Sequence, residues 1–95
     1  MLLKKPIDKG SIVTIKLNSG EEIIARFESQ NDTDLVVSKP SVLTSNGTGL
    51  GIMPWMISAS KGDIELNKST IVTFTQTDEQ IAKSYVEATS SIKLA

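Results

Sequence analysis

Residues 13–37 read VTIKLNSGEEIIARFESQNDTDLVV. Val13, Ile15 and Leu17 alternate with polar neighbours, and Asn18-Ser19-Gly20 turns the chain. Ile23, Ala25 and Phe27 resume the alternation. The polar cluster Gln30-Asn31-Asp32-Thr33-Asp34 follows, and Leu35-Val36-Val37 opens a third apolar run. Alternation with a period of two puts one set of side chains on each face of a strand. Gly, Asn, Ser and Asp supply the turn conformations between strands, so the stretch predicts a β-meander.

Outward from this meander, residues 1–10 form an arm. Pro6 and Gly10 interrupt any helix there, while Leu2, Leu3 and Ile7 can cover one end of a β-barrel. The first strand spans about Ser11 to Leu17 and the second about Glu21 to Ser29, with Ile24 on the outward face, where it can meet another element or subunit. The third spans about Leu35 to Leu43. Pro40 has no N–H to give a ladder, so it marks an edge or a bulge. After the loop Thr44 to Gly49, the fourth strand is expected from Leu50 to Ser60. Ile52, Met53, Trp55, Met56 and Ile57 make both its faces apolar, as in a strand buried on both sides or facing a partner. Ile64 and Leu66 lead through Asn67-Lys68-Ser69 to a last strand, Thr70 to Gln76. The period then changes to that of a helix. Thr77 and Gln80 fit a capping box, and Ile81, Tyr85, Ala88 and Ile92 lie on one helical face.

The composition narrows the function. The chain has 95 residues, 39% hydrophobic and 22% charged, which fits one folded domain. A monomer of this size buries only about 60–65% of its unfolded surface, so association would help it. A net charge of -1 and a single arginine, Arg26, provide no global field for nucleic acid. With no cysteine or histidine, the chain has no disulfide, no usual zinc site, no thiol nucleophile and no imidazole base. No enzyme motif, cofactor site or metal site emerges. Gly47-Thr48-Gly49-Leu50-Gly51 lacks the Gly-Lys ending of a phosphate loop, and Glu21-Glu22 and Asp32/Asp34 read as turn carboxylates. Met1 to Pro6 lacks the apolar core of a secretory signal, and the apolar run Gly49 to Ile57 is too short for a bilayer. The expected location is cytoplasmic.

Five short strands and one helix suit a small, strongly bent barrel: the Sm fold, an SH3-like barrel or the OB-fold. The residues of the meander resemble the first motif of the Sm-like (LSm) family. Val13, Ile15 and Leu17 match its first strand and Gly20 its turn glycine. Ile23, Ala25 and Phe27 match its second strand, with Ala25 where the family usually has glycine. Asn31 and Asp34 fall near its Asp and Asn loop positions. Ile64 and Leu66, the turn at Lys68, and Ile71, Val72 and Phe74 resemble the second motif without its glycine. The first loop is one residue shorter than the family's and lacks its stacking side chain, and the helix lies at the opposite terminus. These departures are similar to those of Sm-like proteins from bacteriophages, cyanophages included.

The resemblance implies an all-β, five-stranded, SH3-like bent barrel in a single domain: arm 1–10, barrel 11–76, C-terminal helix 77–92. It further implies a non-catalytic subunit of a homo-oligomeric ring, joined through the edges of the fourth and fifth strands. The partner it implies is single-stranded RNA, held at inner-rim loops by Gln30, Asn31, Asp32, Asp34, Asn67 and Lys68. Ordinary turn chemistry also explains these residue types. A structural oligomer without RNA, for example a viral assembly module, therefore remains an alternative. A monomeric SH3-like adaptor would need an aromatic groove, for which Phe27, Trp55, Phe74 and Tyr85 supply little. Trp55 is expected in core or interface packing rather than in base stacking.

Overall fold

The computed structural model describes residues 7–45, 47, 49–59 and 62–90. Leu2 and Leu3 of the arm, Asn46 and Thr48 of the hairpin loop, and Ile92 of the helix lie outside them. Among the described residues, six strands form one antiparallel sheet: β1 (Ile12–Leu17), β2 (Glu22–Gln30), β3 (Asp34–Ser45), β4 (Leu50–Pro54), β5 (Asp63–Asn67) and β6 (Ile71–Gln76). A helix, α1 (Glu79–Ser90), follows. The order is β4-β3-β2-β1-β6, with β5 beside β3.

The alternation places the core as expected. Val13, Ile15, Leu17, Ile23, Ala25, Phe27, Leu35, Val37 and Leu66 form one buried cluster, against which Ile7, Trp55, Ile64, Ile71 and Phe74 pack. Gly20 turns β1 into β2 with φ +96°, a left-handed conformation that suits glycine, and its N–H donates to the Leu17 carbonyl at 2.9 Å.

β3 is long because it serves two partners on one edge. Its first half, Asp34 to Ser38, pairs with β5, and its second half, Ser41 to Ser45, pairs with β4. Between the halves the pairing with β2 shifts from Arg26↔Ser38 to Ile24↔Ser41, so β3 carries an extra residue at Lys39-Pro40. Of the edge or bulge that Pro40 allowed, this is the bulge, with Lys39 at φ +51°. Opposite it, residues 55–59 leave the sheet. The Trp55 N–H donates to the Pro40 carbonyl at 2.9 Å and its side chain folds back against the core.

That excursion corrects the expected fourth strand. It ends at Pro54 rather than Ser60, and a separate strand, β5, forms ahead of β6, so the sheet has six strands rather than five. Both faces of the stretch are not buried either: Met53, Met56 and Ile57 are exposed. Nor, among the described residues, does ladder pairing close the sheet. β5 and β6, on its opposite edges, are joined by the 3-10 turn Lys68–Thr70 alone. Three residues in this conformation advance only about 6 Å, so the two edges come together and the sheet must bend around the core.

α1 lies on the outer face. The hydroxyls of Thr77 and Thr14 on β1 are 2.8 Å apart, and the Tyr85 hydroxyl donates to the Lys39 carbonyl of β3 at 2.6 Å. The helix cap is Asp78 rather than Thr77. Asp78 Oδ2 accepts from the N–H groups of Gln80 and Ile81 at 3.1 and 3.2 Å, while the Thr77 hydroxyl is engaged by Thr14. No helix among the described residues is long and apolar enough to cross a membrane.

Candidate nucleic-acid interface

The two polar loops singled out in the sequence meet. β2 delivers Gln30 to the start of one turn, and Asn31 organises it. The Asn31 side-chain oxygen accepts from the N–H groups of Thr33 and Asp34, both at 2.8 Å, and from the Thr33 hydroxyl at 3.1 Å. Such an Asx turn lets a short loop satisfy its own backbone. Asp32 is exposed at its tip, and Asp34 begins β3 half-buried.

The second loop forms around Asn67, whose side-chain oxygen caps the 3-10 turn by accepting from the Ser69 N–H at 2.9 Å. Asn67 sits opposite Asp34 in the β3–β5 register. Lys68 bridges the loops: its N–H donates to the Thr33 carbonyl at 2.8 Å and its Nζ to Gln30 Oε1 at 2.8 Å, across 38 positions of sequence. Gln30, Asn31, Asp32, Asp34, Asn67 and Lys68 therefore lie in one cluster at the junction of β2, β3 and β5.

Two further residues complete the junction. Thr33 supplies the carbonyl that holds Lys68. Asn18, in the β1–β2 turn, donates from Nδ2 to the Ser69 carbonyl at 2.7 Å and from its N–H to the Thr70 carbonyl at 2.8 Å. No local sequence pattern marks Asn18, since its partners lie about fifty positions away.

The cluster is rich in side-chain amides and poor in cations. Asp32 and Asp34 outnumber the ammonium of Lys68, so phosphate attraction is weak. The side-chain bonds described for Asn31 and Asn67 run through their oxygens. Each also carries an amide NH2 group, of the kind that reads base edges. Among the described residues no group of His, Cys, Asp and Glu could hold a metal ion.

Elsewhere, Trp55 takes the packing role. It is half-buried against the core, and its Nε1 donates to Glu21 Oε2 at 3.3 Å. A cavity of about 270 Å³ opens on the sheet beside Thr14, Glu22, Ile23, Ile24 and Leu43, away from the loop junction. No protein-family model matches the sequence, and no curated protein is significantly similar to it.

Proposed function

We propose that the chain is a non-catalytic, Sm-like ring subunit that binds single-stranded RNA at the junction of the β2–β3 turn and the 3-10 turn. The observation that carries this reading is the meeting of the two loops through Lys68, Gln30 and Thr33. The short 3-10 connection between the opposite sheet edges supports a small, strongly bent barrel. β4 and β6 are edge strands, exposing Met53 and Val72, which suits edge-to-edge assembly of copies. Binding would rest on amide contacts to bases from Gln30, Asn31 and Asn67, with Lys68 as the one cation. Repetition around a ring would multiply weak individual sites.

A second reading, assembly without RNA, is favoured by two observations. The carboxylates at the junction outnumber its cation, and Ile57 is 84% exposed beside Met53 and Met56. Fluorescence anisotropy with uridine-rich and adenine-rich oligonucleotides at several salt concentrations separates the readings. The RNA reading expects saturable binding, a shallow salt slope of about −0.7 per cation engaged in each subunit, and loss of affinity in Lys68→Ala. No binding at low salt would refute it. Light scattering after size exclusion tests the ring, and a strictly monomeric species at micromolar concentration would overturn that part.

A further inference from the structure

The helix holds to the sheet in an unusual way. The core cluster is drawn entirely from strands and contains no residue of α1. The helix fully buries one side chain, Tyr85, half-buries Ile81, Ala82 and Thr89, and leaves Lys83, Ser84, Val86, Glu87 and Ala88 exposed. Its ties to the sheet include one group just before its start and another from its middle to its last turn. At the start, the Thr77 hydroxyl meets Thr14 at 2.8 Å and the Thr77 N–H donates to the Ile12 carbonyl at 3.0 Å. Further along, the Tyr85 hydroxyl reaches the carbonyls of Lys39 and Ser38 at 2.6 and 3.3 Å. Lys39 Nζ donates to the Thr89 carbonyl at 3.3 Å.

These ties run from β1 to β3 across the outer face of β2. In register, Thr14 opposes Ile24, and Ile24 opposes Ser41. Ile24 and Ser41 are 2% and 4% exposed, yet neither belongs to the core cluster. The seat of Tyr85 is the β3 bulge, whose extra residue exposes the Lys39 carbonyl to a partner outside the sheet. The helix brings its own cap, Asp78, and so does not rely on the sheet for its N-terminal N–H groups.

We propose that α1 is a strap, hinged at Thr77 and latched by Tyr85 on the β3 bulge, that opens while the sheet stays folded. A free helix of twelve residues is marginal in water, so the opened strap melts and the closed one is held by its latch. Opening widens the cavity that Ile24 already lines with Thr14, Glu22 and Leu43.

Hydrogen exchange by mass spectrometry on the full chain tests this. The strap predicts that the amides of residues 81–90 exchange at least tenfold faster than those of β1 and β2, at a rate insensitive to low urea. In Tyr85→Phe the helix amides exchange about five- to tenfold faster still, from loss of the latch hydrogen bonds, while the β1 and β2 amides keep their rates. Exchange of α1 in step with β1 and β2 in the unmodified protein would overturn the proposal. So would a Tyr85→Phe variant in which helix and sheet accelerate equally.

Discussion

Ile15 is the residue whose truncation tests the packing most sharply. It is completely buried, with Ile23 opposite on β2 and Phe74 opposite on β6. Ile15→Ala removes three carbon atoms, worth about 2.4 kcal/mol of transfer free energy at ~0.8 kcal/mol per methylene. The rigid strands on either side limit collapse, so the residual cavity raises the loss to about 3–4 kcal/mol. A chain of 95 residues carries a total stability on the order of 5–14 kcal/mol, so the variant loses a large fraction of it. Trp55 is the only tryptophan and packs against this cluster, so its fluorescence reports urea unfolding directly. With a slope near 1–1.5 kcal/mol per molar urea, the midpoint falls by about 2–4 M. Val72→Ala on β6 is the control: Val72 is 63% exposed, and its midpoint should move by less than about 0.5 M. A loss below about 1 kcal/mol in Ile15→Ala, or equal losses in the two variants, would refute the assignment of faces.

Asp78→Ala should cost about 1 kcal/mol and reduce helix circular dichroism, because it removes the acceptor for Gln80 and Ile81. Thr77→Ala loses the link to Thr14 but keeps the cap, so it should loosen the helix from the sheet without that change in cap strength. Gly20→Ala meets no atom within 4 Å of the new Cβ, so its cost is conformational. At φ +96° it should be about 1–2 kcal/mol, read as a fall of roughly 4–16 °C in thermal midpoint. Burial holds the Tyr85 phenol protonated well above its ordinary value of 10, against the opposing pull of Arg26. The unfolded chain releases that proton near pH 10 while the folded chain keeps it. The folded state therefore binds more protons there, and stability falls as pH rises above about 10; Tyr85→Phe should flatten that fall in alkaline urea titrations.

The parts of the fold legible in the sequence were those fixed by local patterning. The alternation of Val13, Ile15 and Leu17 with that of Ile23, Ala25 and Phe27 set the core face, and the turn residues bounded the strands. Pro40 announced its bulge because a missing N–H has few places in a sheet. The stretch after Pro54 was harder to read because apolar character marks burial, not strand geometry. Trp55 satisfies its burial by folding back on the core, while Met56 and Ile57 remain exposed. β5 carries only Ile64 and Leu66 as apolar residues, and its pairing is set by β3, far upstream. Thr77 and Asp78 are both good caps by residue type. What separates them is Thr14, 63 positions away, which engages the threonine.

The candidate site divides in the same way. Gln30, Asn31, Asp32, Asp34, Asn67 and Lys68 were legible as turn residues, and the family resemblance linked the two turns. Their contact depends on the 3-10 turn crossing between sheet edges, and Asn18 enters only through that geometry.

The most direct test of the proposed function is a transverse-relaxation-optimised amide spectrum of the labelled protein titrated with a single-stranded RNA oligonucleotide. RNA binding at the loop junction should give saturable shifts confined to Gln30 to Asp34, Asn67 to Ser69 and Asn18, and absent in Lys68→Ala. No shifts at low salt, or shifts confined to the stretch Met53 to Ile57, would overturn that assignment.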